Sequence, residues 1–142
     1  MRTMAMWAAA LGLAACASGA AAQDRRVDVT LNHTGSDLAG KRLAAVLAGE
    51  LITSKKMTLV KTSDLRVGLY LATMARGGST IYSATWTIGG MNDDGYLTSK
   101  VGVCDNENIR GCARGLLAET DKHANVLASM KARQAAAGSV AR

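Results

Sequence analysis

Leu65, Val67, Leu69 and Leu71 alternate with Arg66, Gly68, Tyr70 and Ala72. A period of two can bury one set of side chains only in an extended strand, so this stretch commits the chain to a sheet with one covered and one open face. Ser79 to Ile88 is a second β-rich run, carrying Ile81, Tyr82, Thr85 and Trp86, and Arg76-Gly77-Gly78 breaks the chain between the two. Either Tyr82 and Trp86 or Ile81 and Thr85 point inward; the pattern is compatible with both. Tyr96 to Val103 forms the last strand, after a turn over Gly89 to Gly95 that contains Asn92-Asp93-Asp94-Gly95. Links this short predict an antiparallel meander, with the brief run Met57 to Lys61 as its first member.

Helical patterns flank these strands. Val27, Val29 and Leu31 alternate with Asp28, Thr30 and Asn32 as an opening strand. Ser36-Asp37 then reads as a helix start, the hydroxyl capping free amides and the carboxylate favoured by the helix dipole. Ala39, Leu43, Val46, Leu47 and Leu51 predict a helix from Asp37 to Ser54. Gly40 and Gly49 each cost it about 1 kcal/mol relative to Ala, tolerable where they allow close approach to the sheet. Farther on, Ile109, Cys112, Leu116, Thr120, Ala124, Leu127 and Met130 share one helical face, with Asp105 or Asn106 as the cap. Residues 132–142 are rich in Ala, Gly and Ser and read as a flexible tail. The expected fold is α+β: a two-layer domain with a mostly antiparallel sheet of four to five strands and two helices on one face. Its first strand–helix–strand unit needs a crossover, which allows parallel pairing.

The leader places the domain. Met1-Arg2-Thr3 is a short basic start, Met4 to Ala15 is apolar, and small residues fill Ala14 to Ala22. That is the anatomy of a bacterial export signal, too short and Ala-rich for a spanning helix. Two processing points overlap in it. Ala20-Ala21-Ala22 before Gln23 fits ordinary signal peptidase, whereas Leu13-Ala14-Ala15-Cys16 fits a lipobox whose Cys16 would be acylated and hold the domain at a membrane. Removing residues 1–22 leaves about 120, enough for a single core over residues 23–131. Arg2 is the only charge in that segment, so the formal balance of +6 drops by one. A modest, scattered basic excess favours anionic partners but is equally a solvated surface. With neither Phe nor Pro in the chain, the core must come from Leu, Val, Ile, Met, Ala, Tyr and Trp. On either processing route Cys104 and Cys112 remain as an even pair, and an exported domain makes them a disulfide. Their neighbours Asp105, Asn106, Glu107 and Asn108 are hard-oxygen types that match thiolates poorly in a metal site.

Motifs that suggest chemistry have simpler readings beside them. Gly35-Ser36-Asp37-Leu38-Ala39-Gly40-Lys41 has phosphate-loop spacing between a strand and a helix. Arg42 stands where Ser or Thr should hold magnesium, Asp37 would put a negative charge in the cradle, and export removes the domain from nucleotide. A calcium loop keyed on Gly95 would begin at Gly90 and end at Val101, neither a suitable ligand, so a hairpin turn is expected there. His33 and His123 have no sequence-local nucleophile and are expected to be structural or surface residues. No cofactor, metal or nucleic acid is called for. The helix–three strands–helix order resembles double-stranded-RNA modules, but export and the lack of a basic helix cluster argue against RNA.

The open sheet face carries the remaining functional reading. With helices on the other side it is expected to present Arg66, Tyr70, Ser83, Thr85, Thr87, Thr98 and Lys100, a surface for docking a protein or glycan. Gly40 to Leu51 leading into Met57-Thr58-Leu59-Val60, then Asp64-Leu65-Arg66-Val67, resembles small bacterial envelope domains: the lipopolysaccharide-assembly lipoprotein and the N-terminal domain of the Tol system's propeller protein. That resemblance implies an accessory or assembly role at the envelope. The leading expectation is a non-enzymatic exported protein, periplasmic, secreted or lipid-anchored, binding an envelope protein or an anionic envelope component. The alternative is a secreted inhibitor or immunity-type protein using the Cys104–Cys112 loop, and the third is a small hydrolase. Oligomeric state is left open by the sequence.

Overall fold

The computed structural model describes residues 26–90 and 94–140. They form β1 (Val27–Thr34), α1 (Leu38–Thr53), β2 (Met57–Leu59), β3 (Arg66–Arg76), β4 (Ser79–Gly89), β5 (Asp94–Asp105), a 3-10 turn (Asn106–Asn108) and α2 (Ile109–Val140). The expected leader, with both processing points and Cys16, lies outside the described residues, as do Asn92 and Asp93 of the turn before β5.

One five-stranded sheet runs in the order β2-β1-β3-β4-β5. β3, β4 and β5 are antiparallel neighbours, while β1 pairs in parallel with β2 on one side and β3 on the other. Both helices cover the same sheet face, giving the α+β fold. The predicted meander is therefore one strand shorter than expected: β2 does not adjoin β3. α1 carries the chain across from β1, so β2 lies parallel beside it, held further by Val27 N–H to Lys56 O and Val60 N–H to Val29 O, both 2.9 Å. β1 fills the position between β2 and β3. The β3–β4 hairpin closes through Gly77-Gly78, where Gly77 takes the positive φ of +57° that a two-residue turn requires.

The core lies between sheet and helices. Val29, Val67, Leu69, Leu71, Ala84 and Trp86 from the sheet meet Leu43, Leu47 and Leu51 of α1 and Ala113, Leu116 and Leu127 of α2, all essentially without exposed surface. Each large aliphatic side chain buried there contributes about 1.5–3 kcal/mol. Trp86 fills the volume that Phe would otherwise supply, and its indole Nε1–H donates to Thr120 Oγ1 at 2.9 Å. Thr120 in turn donates to Leu116 O at 2.8 Å, so the buried polar pair is satisfied. Tyr82 and Trp86 point inward, which decides the parity the sequence leaves open in β4.

Several local details depart from expectation. Asp37, not Ser36, caps α1: its Oδ2 accepts from Gly40 N at 2.7 Å. Asp105 precedes the 3-10 turn without a side-chain cap bond, and α2 begins only at Ile109. Ala113 rather than Cys112 lies on the buried line of α2, and Met130 is exposed. The helix also continues through the Ala-rich residues to Val140 instead of ending near Lys131; residues 132–139 are exposed along it. Ala is the strongest helix former, and a helix already propagating needs no new nucleus to include such residues.

Candidate functional site

Strand parity decides what the open face presents. Arg66, Tyr70, Ser83, Thr85 and Thr87 lie on it, as expected from the alternation of β3 and β4. Thr98 and Lys100 do not. Cys104 is fully buried on the helix side and bonded to Cys112, with the Cα atoms 6.1 Å apart. Alternation along β5 then carries Gly102, Lys100 and Thr98 to the side of Cys104, opposite Tyr82, Ala84 and Trp86. Gly102 lies beneath the Tyr82 ring, where a Cβ would collide with it. Val101 and Val103 are turned outward, 70% and 52% exposed. A bulge between Trp86 and Thr87 inserts Leu97 and returns Tyr96 to the open face beside Thr87.

The open face has a polar end and an apolar end. At the polar end Arg66 Nη2 donates to Asp94 Oδ1 at 2.9 Å and Nη1 to Ser63 O at 2.7 Å. Tyr70 OH donates to the second oxygen, Asp94 Oδ2, at 2.7 Å. Arg66 lies over Gly89, whose missing side chain leaves room for the guanidinium. The hydrogen bond to Asp94, with burial and the carboxylate charge, raises the Tyr70 phenol above its ordinary pKa, although Arg66 pulls the other way. Tyr96 hydrogen-bonds Ser99 at 3.2 Å. Because Asp94 already neutralises Arg66, this end has no uncommitted cation among the described residues for an anionic ligand.

At the other end the register lines Met74 up with Ile81 and Val103, and Ala72 with Ser83 and Val101. Met74 is 62% exposed. Met74, Ile81, Ala72, Ser83 and Val101 border a shallow depression of about 200 Å³, with Val103 beside it in register. Sequence periodicity alone misses this larger feature: Met74, Ile81, Val101 and Val103 form an apolar strip across three strands. The expected Cys104–Cys112 bond carried the signal for it, since Cys104 on the helix side sets the parity of β5 from Thr98 to Asp105.

The phosphate-loop spacing serves packing. Asp37 occupies the amide cradle at the start of α1, and a Cβ on Gly40 would overlap the Thr73 hydroxyl of β3. Thr73 donates its hydroxyl proton to Asp37 Oδ1 at 2.7 Å. His33 Nε2, 2.9 Å from the same hydroxyl, must then be the donor to it. The Asp37–Thr73–His33 chain thus runs opposite to an activated nucleophile, which would have to donate to the imidazole. Burial opposes ionisation of Asp37, but the hydroxyls of Thr73 and Thr80 and the Gly40 amide outweigh it and hold the carboxyl below its ordinary value. His123 packs against Trp86 with ring centroids 5.6 Å apart. Burial lowers its pKa, against the pull of Glu119. Between the cysteines, Asn106 N–H bonds Gly78 O at 3.3 Å, and the segment winds into a single 3-10 turn tied at both ends.

The structure is a small disulfide-braced α+β domain whose open sheet face divides into a polar and an apolar end. No family model and no curated protein matches the chain.

Proposed function

We propose that this is a non-enzymatic exported domain of the cell envelope that docks a partner protein on its open sheet face. The apolar strip of Met74, Ile81, Val101 and Val103 carries the reading, because an exposed apolar surface rimmed by polar side chains is the usual mark of a protein contact. An anionic envelope component is disfavoured by the pairing of Arg66 with Asp94. Placement outside the cytoplasm is supported by the Cys104–Cys112 disulfide and by the export signal read in residues 1–22. No helix among the described residues is long and apolar enough to cross a membrane. An accessory or assembly role is in keeping with the resemblance to small envelope domains.

The reading is tested by placing a photo-crosslinking residue at Met74 in the exported protein, with one at the exposed Asn125 of α2 as control. A discrete heterologous protein captured from position 74 and not from 125 supports it. Equal labelling from both positions, or none from 74, overturns it.

A further inference from the structure

We propose that β5 is a dimer edge, pairing antiparallel with β5 of a second copy about a two-fold axis through Gly102. The two sheet edges differ greatly: β2 offers 3 residues and β5 offers 12. Among the described residues no strand pairs with the outer side of β5, so a row of backbone donors and acceptors is left open there. Long edges are ordinarily blunted by Pro, clustered charge or a bulge. The chain has no Pro, the only charge between Gly95 and Cys104 is Lys100, and the bulge at Leu97 lies toward one end. From Thr98 to Asp105 the ladder is regular.

Its side chains select one register. A two-fold normal to the sheet keeps each face continuous, so open-face residues of one copy oppose open-face residues of the other. With Gly102 on the axis, Val101 meets Val103 of the second copy and Ser99 meets Asp105 of the second copy, each pair occurring twice. Tyr96 OH donating to Ser99 Oγ would leave the serine proton free for that carboxylate. On the helix side Lys100 opposes Cys104 and Gly102 opposes itself, without crowding. Centring on Lys100 sets two ammonium groups face to face. Centring on Val101 places Asp105 opposite Leu97, and centring on Val103 places it opposite Val101. Only the Gly102 axis matches apolar with apolar and hydroxyl with carboxylate. Two five-stranded sheets would join into one, bringing both apolar strips onto a single continuous face.

The dimer is independent of the partner-docking reading and is tested separately, by sedimentation of the full exported domain. Wild type should be dimeric at high micromolar protein. Val101→Glu and Val103→Lys, at exposed positions that leave the fold intact by circular dichroism, should each weaken association at least about tenfold. Mixed in equal amounts they should recover a heterodimer, because this register places the new carboxylate directly opposite the new ammonium. Met74→Glu, on β3 away from the edge, should leave the dimer intact. A monomeric wild type, single variants that still dimerise, or a mixture that stays monomeric would each overturn the proposal.

Discussion

Gly40 and Gly49 look alike in the sequence, two small residues on one helix, and the structure gives them opposite roles. Gly40 is buried where α1 crosses β3, and any Cβ there overlaps Thr73. Gly49 is exposed, and a methyl group at that position would meet nothing within 4 Å. Gly49→Ala should therefore stabilise the domain by about 0.5–1 kcal/mol, by helix propensity and a less disordered unfolded chain. Gly40→Ala should destabilise it by about 1–3 kcal/mol through overpacking. Urea unfolding of the two variants beside wild type checks both signs at once. That both glycines are helix residues was legible in the sequence. Which one faces β3 at contact distance was not, because that depends on a strand about 30 residues away meeting the helix.

At the scale of elements, the disulfide does more than tie β5 to α2. By committing Cys104 to the helix side it sends Val101 and Val103 outward, against the apolar alternation that would bury them. The bridged residues are 8 apart, and closing so short a loop in the unfolded chain stabilises the fold by about 2–3 kcal/mol. Cys104→Ala with Cys112→Ala should lower the unfolding free energy by about that amount, measured by denaturant unfolding under non-reducing conditions. Added reductant should shift wild type toward the double variant and leave the double variant unmoved. Element types and order were largely legible, since β1, α1, β3 and α2 carry a clear period and β4 and β5 are β-rich runs bounded by turns. The place of β2 was not, because a three-residue strand carries too little pattern to name its neighbour.

The whole molecule responds to acid in two ranges. Burial depresses the His123 pKa below its ordinary 6.5, with Lys122 acting the same way and Glu119 against. The unfolded chain then takes up that proton first, so stability is full above about pH 6.5 and falls as the pH drops through the folded value. Asp37, held below its ordinary 3.8, contributes stability that is present above that pH and is lost as the pH falls through its lower folded value. Denaturation midpoints measured against pH should decline in these two separate steps. His123→Gln should remove the upper step, and Asp37→Asn should reduce the lower one, to which Glu119, held low by its hydrogen bond from Lys122, also contributes.

By itself the sequence determined what is local and periodic: the helices around their apolar faces, the strands of β3 and β4, the Gly77-Gly78 turn, and a cysteine pair suited to bridging. These follow from side-chain periodicity and backbone freedom, which a chain expresses without reference to distant residues. Tertiary structure alone decided that β1 sits between β2 and β3, that Asp94 is committed to Arg66 and Tyr70, and that Met74, Ile81, Val101 and Val103 align on the open side. Those are matters of register and parity. Shifting a strand by one residue exchanges its two faces, and only long-range contacts, here the Cys104–Cys112 bond and the packing of Trp86 on Thr120, select between them.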